Sequence, residues 1–226
     1  MEQVKEKNMK VIFATTNNRK LEDLNNIIDE NSLELEVLSL TDIGWDRGEI
    51  EETGNSIYEN SLIKAKAVLD FCKSNNISYP IITDDAGLFV DELNGEPGVF
   101  TARYADEELL ENPELPKYYA LIKMLNQMTG KENRDCEYRC AITVMYQNGN
   151  YKQFDGKTQG IIDTKINEPI KKPYFYSLFV NKNTQTPFNH LTTEQLKCTY
   201  RYMTLTKALK YLDLEVLKTD KVKKEQ

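Results

Sequence analysis

The chain has 226 residues, of which 40% are hydrophobic and 29% charged, a composition typical of a globular protein that buries a core without needing disulfides. Its 29 basic and 36 acidic residues give a net charge of −7, which argues against field-driven binding to nucleic acid or to a membrane surface. A phosphate-bearing ligand would have to be held locally, by a few lysines or a metal.

Cysteine and histidine usage narrows the chemistry that is possible. Four cysteines without a Cys-x-x-Cys pair and a single histidine, His190, argue against a zinc site, a disulfide framework and a histidine-based nucleophile. Reduced thiols favour a cytoplasmic location. We expect no signal peptide, transit peptide or membrane span, because no long apolar segment is present. Any chemistry is expected to depend on carboxylates, lysines and metal.

The hydrophobic pattern predicts an α/β fold in which an alternating half precedes a hairpin-rich half. Ser56 and Glu59 fit a capping box that opens a helix extending to about Ser74. The segment LFVDEL (88–93) is either a further strand or an excursion with a turn. The predicted strands are 9–15, 33–40, 79–83, 136–146 and 151–163, the predicted helices are 21–29, 57–74, 113–128 and 192–217, and a loop-rich region covers 168–191.

The stretch ATTNNRK (14–20) combines a strand end with a helix start. Hydroxyl and amide side chains there precede Lys20 in the first helical turn, so N–H groups, the helix dipole and a cation meet at one place. This predicts an anion-binding site, although the glycines of a P-loop are missing. The alternative is that Thr16 or Asn17 only caps the helix.

Acidic residues occur at two further positions. Glu51 and Glu52 precede the helix that contains Lys64, and each residue taken alone is equally typical of a solvated loop or helix face. Asp84 and Asp85 follow an apolar strand directly, where ligands usually bind in α/β proteins. Successive strand residues point to opposite faces, so we expect one aspartate to be a ligand and the other to support the turn. With Glu52, that ligand would supply oxygens for Mg²⁺.

Four segments together resemble the HAM1, or inosine triphosphate pyrophosphatase, family. ATTNNRKLED is similar to its opening Ala-Thr-x-Asn-x-x-Lys, and residues 52–65 resemble Glu-Thr-Gly, four residues, then Glu-Asn-Ala-x-x-Lys-Ala. TDDAGLFVDELNGEPGVFTARYA (83–105) resembles its Asp-Asp-Ser-Gly signature, and FDGKTQGII (154–162) its Phe-x-Gly hairpin. The resemblance covers about residues 10 to 162, in the family's order and spacing.

The resemblance implies a Mg²⁺-dependent enzyme that hydrolyses ITP, dITP and XTP to the monophosphate and pyrophosphate. It also implies a single domain over 1–226, with residues 1–8 and 218–226 flexible, an elongated mixed sheet flanked by helices, and two lobes with a central nucleotide cleft (the Maf/HAM1 fold). A homodimer is expected. By position, the residues that would bind the triphosphate are Thr15, Asn17, Lys20 and Lys64. Those that would bind metal are Glu52, Asp85 and Asp84, with Asp85 as the base and Lys20 and Lys64 as the catalytic cations.

The remaining third of the chain departs from the family where the base would be recognised. Tyr176, in KPYFYSLF (172–179), stands at the position of the family's base-binding aspartate, and the family's Ser-His-Arg is absent, with Arg201 as a substitute contact to the base. Ala86 replaces the family's serine. The aromatic side chains at 174–176 would stack on a base or belong to an ordinary core.

These departures leave three functional hypotheses. The first is a pyrophosphatase acting on ITP, XTP or their deoxy forms, with relaxed base selectivity because lost polar contacts flatten discrimination. The second is an enzyme of the same fold that prefers another nucleotide. The third is a catalytically weak protein that binds a nucleotide or a partner.

Overall fold

The computed structural model describes residues 9–224 and gives side chains as far as residue 215. The flexibility predicted for 1–8 and 218–226 therefore concerns positions outside the residues whose side chains are described. The strands in the described part are β1 (Met9–Phe13), β2 (Leu35–Leu38), β3 (Ile81–Val90), β4 (Pro97–Gly98), β5 (Asp135–Met145), β6 (Tyr151–Ile162), β7 (Phe179–Asn181) and β8 (Thr186–Pro187). The helices there are α1 (Asn18–Glu30), α2 (Ile57–Ser74), α3 (Asp106–Glu111), α4 (Tyr119–Gln127), α5 (Thr193–Leu196) and α6 (Tyr200–Lys224).

The strands form a mixed sheet in the order β2-β1-β3-β5-β6-β7-β8, with β4 paired to β3. The pairs β1–β2 and β1–β3 are parallel, whereas β3–β4, β6–β7 and β7–β8 are antiparallel. The predicted α/β class, with a mixed sheet and an alternating first half, is confirmed.

The chain divides into two compact units. In the described part, the first unit holds residues 9–85, 141–155 and 202–224, and the second holds 86–140 and 156–201. Strands β3, β5 and β6 each have residues in both units.

The first unit has helices on both faces of its strands. Val11 and Phe13 point to the face covered by α1 and α6, where they join a fully buried cluster. Ile12 points the other way and packs with Val68 and other residues of α2. The period-two alternation of the strand thus separates two apolar cores, as expected for a strand buried on both faces.

Helix α2 begins and ends where the sequence predicts. Ser56 caps it by accepting a hydrogen bond from the Glu59 backbone N–H (3.1 Å), and Ala65, Val68 and Cys72 are among its buried residues. The capping box itself is not closed as predicted. The Glu59 carboxylate accepts from the backbone N–H of Asn55 (2.6 Å), because the preceding loop folds back against the first turn of the helix.

Strand β3 is longer than the sequence pattern indicated. It runs for 10 residues without interruption through Asp84, Asp85 and Gly87, so LFV continues the strand and the excursion begins only at Asp91. The two aspartates consequently lie in the middle of the strand, and the prediction that they sit at its carboxyl end was wrong. Gly87 allows the continuation, since a Cβ there would lie 2.2 Å from the Gly98 carbonyl oxygen of β4.

The second unit encloses an aromatic core. Tyr138, Phe179 and Phe188 are each at most 3% exposed and contact one another through their rings, with Leu88 and Met124 in the same cluster. The region 168–191, expected to be loop-rich, contains the short strands β7 and β8. Helix α3 was not predicted, and α4 is shorter than the predicted 113–128, because its first turn lies after Pro116.

The predicted helix over 192–217 is divided in two. Helix α5 starts with a capping box between Thr192 and Gln195, and α6 starts at Tyr200. The backbone N–H of Tyr200 donates to the Thr158 hydroxyl of β6 (2.7 Å), which diverts it from the helical ladder. Within residues 9–224, no helix combines the length and apolar character needed to cross a membrane.

Candidate active site

The loop between β1 and α1 is built on two polar side chains. Thr15 is 8% exposed, and its hydroxyl accepts from the backbone N–H of Asn17 (3.1 Å). The Asn17 side chain caps α1 by accepting from the Arg19 N–H (3.0 Å), so the capping interpretation holds for Asn17 and not for Thr16. The cap does not remove the basis for anion binding, because the start of α1 still presents backbone N–H groups beside Lys20.

Lys20 turns from the first turn of α1 towards β3. Its Nζ donates to both carboxylate oxygens of Asp84, at 3.1 Å each. The Asp84 side chain is only 4% exposed, whereas that of Lys20 is 34% exposed. A buried carboxylate is thus neutralised by an ammonium that also reaches solvent, where a phosphate could approach it.

Lys64 performs the corresponding role from α2. Its Nζ lies 2.8 Å from Glu52 Oε1 and 3.8 Å from Asp85 Oδ1, and its side chain is 13% exposed. Burial acts to lower the pKa of this ammonium, but the surrounding carboxylates outweigh burial and raise the pKa above its ordinary value of 10.5. Lys64 is therefore a permanent cation at neutral pH.

Strand alternation explains why the two aspartates meet different lysines. Asp84 follows the face of Ile82, which packs towards α1, and Asp85 follows the face of Ile81, which packs towards α2. Both aspartates face a cation, so the prediction that one would only support a turn has no counterpart in this geometry. With all five groups ionised, three carboxylates face two ammonium groups, and the site keeps one negative charge.

A contact that the sequence analysis missed holds the loop that contains Glu52. The fully buried side chain of Asn60, one turn before Lys64 on α2, accepts from the Gly54 backbone N–H at 2.8 Å. A Cβ at residue 54 would lie 2.7 Å from Asn60 Oδ1 and 2.6 Å from Glu59 Cβ, so only glycine allows this approach. The i, i+4 spacing of Asn60 and Lys64 was the available signal, since it places both on one helix face.

The carboxylate oxygens of the site suit a metal ion whose coordination shell is completed by a bound ligand and water. Among the side chains described, those of residues 9–215, no three His, Cys, Asp or Glu are arranged to hold a metal by themselves. Glu52 and Asp85 nevertheless approach the same ammonium of Lys64, whereas both oxygens of Asp84 face Lys20. This set fits Mg²⁺, which typically takes one or two carboxylates and completes its shell with phosphate and water.

The candidate base-binding residues belong to the second unit. Tyr176 packs edge-on against Tyr138 and Phe188, and its hydroxyl is 3.0 Å from that of Tyr200. This favours the core interpretation over a free stacking platform. Burial raises the pKa of Tyr200 well above its ordinary value, and the nearby Arg201 guanidinium partly offsets the effect. Phe175, next to Tyr176, is buried in the same aromatic core, and Tyr174 and Ala86 are half-buried against it.

The first unit therefore brings together all the phosphate and metal candidates. They are Thr15, Asn17, Lys20, Glu52, Lys64, Asp84 and Asp85. Tyr176 and Arg201 lie in the second unit, in contact with or close to Tyr200.

Known proteins are similar in sequence to this chain over most of its length. The model of the Ham1 family matches residues 11–211. The dITP/XTP pyrophosphatase of Borreliella burgdorferi (strain ZS7) is 31% identical over 203 residues, which cover 89% of this chain and 95% of that protein. The dITP/XTP pyrophosphatase of Bacillus subtilis (strain 168) is 33% identical over 205 residues, with coverage of 89% and 96%.

The fold is also found among solved structures. The Staphylococcus aureus Ham1 protein gives a TM-score of 0.74 at 24% identity and covers 91% of this chain and 99% of its own, which confirms the predicted fold. Since the family model and both relatives extend over most of its length, the chain belongs to the Ham1 family.

Proposed function

We propose that the chain hydrolyses the non-standard purine nucleoside triphosphates ITP, dITP and XTP to the monophosphate and pyrophosphate. The observation that carries the proposal is the pairing of two lysines, from α1 and α2, with adjacent aspartates of β3. The names of the relatives, dITP/XTP pyrophosphatase, support the same substrate class. Phosphoryl transfer requires neutralised charge and an oriented water rather than a covalent nucleophile, and these residue types meet that requirement.

Binding of a triphosphate would require an exchange of partners. The site keeps one negative charge when its lysines are paired with carboxylates, so it repels a polyanion in that state. If Lys20 and Lys64 turn to phosphate oxygens, the carboxylates lose their counter-ions. Thr15 and Asn17 would add polar contacts at the start of α1, where the helix dipole favours an anion.

The released carboxylates would be the place for the cation. We propose that Glu52 and Asp85 hold Mg²⁺, with Asp84 in support. When bound, Mg²⁺ neutralises phosphate charge and lowers the pKa of a coordinated water. The Asp85 carboxylate would take the proton of the attacking water, while Lys20 and Lys64 stabilise the charge on the phosphate oxygens.

Base selectivity is proposed to be relaxed. At residue 176 a carboxylate would accept hydrogen bonds from a purine, but Tyr176 presents a neutral hydroxyl that already has a partner in Tyr200. Arg201 would supply the remaining polar contact. The same observation favours a second candidate function, an active pyrophosphatase of this fold that prefers another nucleotide.

We also propose that the chain works as a single domain and as a cytoplasmic homodimer. The three strands with residues in both units support one folding domain, and the family resemblance supports the dimer. The free thiols of the four cysteines are compatible with a reducing compartment. A single cooperative unfolding transition and a dimer mass by sedimentation are the expected results.

The test of the function is pyrophosphate release from a panel of triphosphates. We would compare ITP, dITP, XTP, GTP, ATP and UTP with Mg²⁺ and with EDTA in its place. Fastest turnover of ITP, dITP and XTP, lost with EDTA, supports the proposal. Faster turnover of a standard nucleotide supports the second candidate. Tight binding without turnover of any nucleotide would contradict both and leave a nucleotide-binding protein.

A further inference from the structure

A chain of buried hydroxyl groups lies within the first unit, beside the charged residues but not among them. Ser61 Oγ of α2 is 2.7 Å from Thr143 Oγ1 of β5 and 3.1 Å from Thr83 Oγ1 of β3. Thr83 Oγ1 donates to the Ser61 carbonyl oxygen (2.7 Å), and the Gln153 amide of β6 donates to Thr143 Oγ1 (3.0 Å). The three hydroxyl-bearing residues are all fully buried.

The direction of every hydrogen bond follows from counting protons. Each hydroxyl has a single proton, and that of Thr83 is used on the Ser61 carbonyl. Thr143 accepts from Gln153 and donates to Ser61, so Ser61 donates onward to Thr83, either to its hydroxyl (3.1 Å) or to its carbonyl oxygen (3.4 Å). The Gln153 amide nitrogen also donates to the Tyr58 carbonyl of α2 at 2.9 Å. The hydroxyl protons therefore follow one direction, from Thr143 through Ser61 to Thr83, so loss of one hydroxyl removes a hydrogen-bond partner from a buried neighbour.

The position of this network connects it to the charged site. Ser61 lies one helical turn before Lys64, and Thr83 directly precedes Asp84 on β3. The hydroxyls therefore join α2 to β3 beside the residues whose side-chain atoms Lys64 Nζ and Asp85 Oδ1 lie 3.8 Å apart. Gln153 fixes the same helix to β6 through the Tyr58 carbonyl.

We propose that Ser61, with Thr83, Thr143 and Gln153, forms a positioning network that holds Lys64 at its working distance from Asp85. The proposal rests on the proposed function, in which Lys64 is a catalytic cation and Asp85 is the base. A Ser or Thr that served packing alone would not need hydrogen bonds that link four elements, α2, β3, β5 and β6.

The experiment removes hydroxyls and keeps shape. Ser61→Ala and Thr143→Val each break the chain, and Thr143→Ser keeps the hydroxyl. Ser39→Ala is the matched control, because the Ser39 hydroxyl is also buried and bonded, to Asp42 at 2.6 Å, outside the network. Pyrophosphate release from XTP would be measured well below each unfolding temperature. We expect kcat to fall by about 10- to 100-fold for Ser61→Ala and Thr143→Val, with KM changed by less than about threefold, since misplacement by about 1 Å costs a rate of this order.

The Thr143→Ser and Ser39→Ala variants distinguish positioning of Lys64 from a general effect on the structure. Recovery of kcat in Thr143→Ser and a normal kcat in Ser39→Ala support positioning, whereas equal kcat in Ser39→Ala and Ser61→Ala, or no recovery in Thr143→Ser, overturns it. If Ser61→Ala does not fold, the two Thr143 variants decide.

If the wild-type protein releases no pyrophosphate, the proposed function fails. Acetic anhydride labelling of Lys64 then decides the network, with faster labelling in Ser61→Ala than in Ser39→Ala expected and equal labelling overturning it.

Discussion

Replacing Asp85 by asparagine separates catalysis from stability at this site. The substitution keeps the shape of the side chain and removes its charge and its capacity to take a proton. The Asp85 side chain is 10% exposed, and its contact with Lys64 (3.8 Å) is longer than that of Glu52 (2.8 Å), so Lys64 keeps its nearer partner in the variant.

We expect the Asp85→Asn substitution to change the free energy of unfolding less than the activation barrier. An ion pair at about 4 Å is worth about 4 kcal/mol at an effective dielectric constant of about 20, and burial of the carboxylate costs several kcal/mol in the other direction. Since asparagine removes both contributions, we expect the free energy of unfolding to change by less than about 2 kcal/mol. Loss of a general base lowers the rate about 10²- to 10⁴-fold, which corresponds to about 2.7–5.4 kcal/mol in the activation barrier.

The assay follows pyrophosphate release with XTP and Mg²⁺, beside urea unfolding of the same samples. Asp135→Asn is the control, because Asp135 forms an ion pair with Lys182 within the second unit, whereas the charged cluster belongs to the first unit. We expect its kcat to equal that of the wild type. If Asp85→Asn retains more than about a tenth of the wild-type kcat, Asp85 is not the base, since even a modest base contributes more than this.

Three further predictions test the surroundings of the site. Gly54→Ala should lower kcat/KM for XTP and the unfolding temperature together, because the added Cβ would lie 2.7 Å from Asn60 Oδ1 and displace the Glu52 loop; unchanged kinetics would contradict the close approach. From neutral pH up to about pH 10, Lys64→Met should be less stable than the wild type by a constant amount in urea unfolding. The difference should shrink as the pH rises above 10.5, because the raised pKa keeps the ammonium charged below that value. In the native protein near pH 8, a thiol reagent should modify Cys198 alone among the four cysteines. Burial protects the other three and raises the pKa of Cys72 to about 11. Mass spectrometry of the labelled peptides checks this prediction.

Local signals predicted the elements that depend on nearby residues. Helix α2 has the predicted ends because its cap and its apolar spacing lie within the helix itself. The division between α5 and α6 could not be predicted, because it depends on the Thr158 hydroxyl, which is 42 residues from the Tyr200 N–H that it binds. The extent of β3 was also missed, because adjacent carboxylates are unusual inside a strand unless cations from other elements face them.

The amino-acid sequence by itself predicted most of the longer helices and strands, identified the family pattern that they carry, and indicated carboxylates and lysines as the candidate reactive groups. The tertiary structure alone decided which of these charges meet. Lys20 and Asp84 are 64 residues apart, and no periodicity within a helix or strand relates them. Their contact, and that of Lys64 with Asp85, follows from the alternation of β3 between a face covered by α1 and a face covered by α2, which exists only once the sheet has formed.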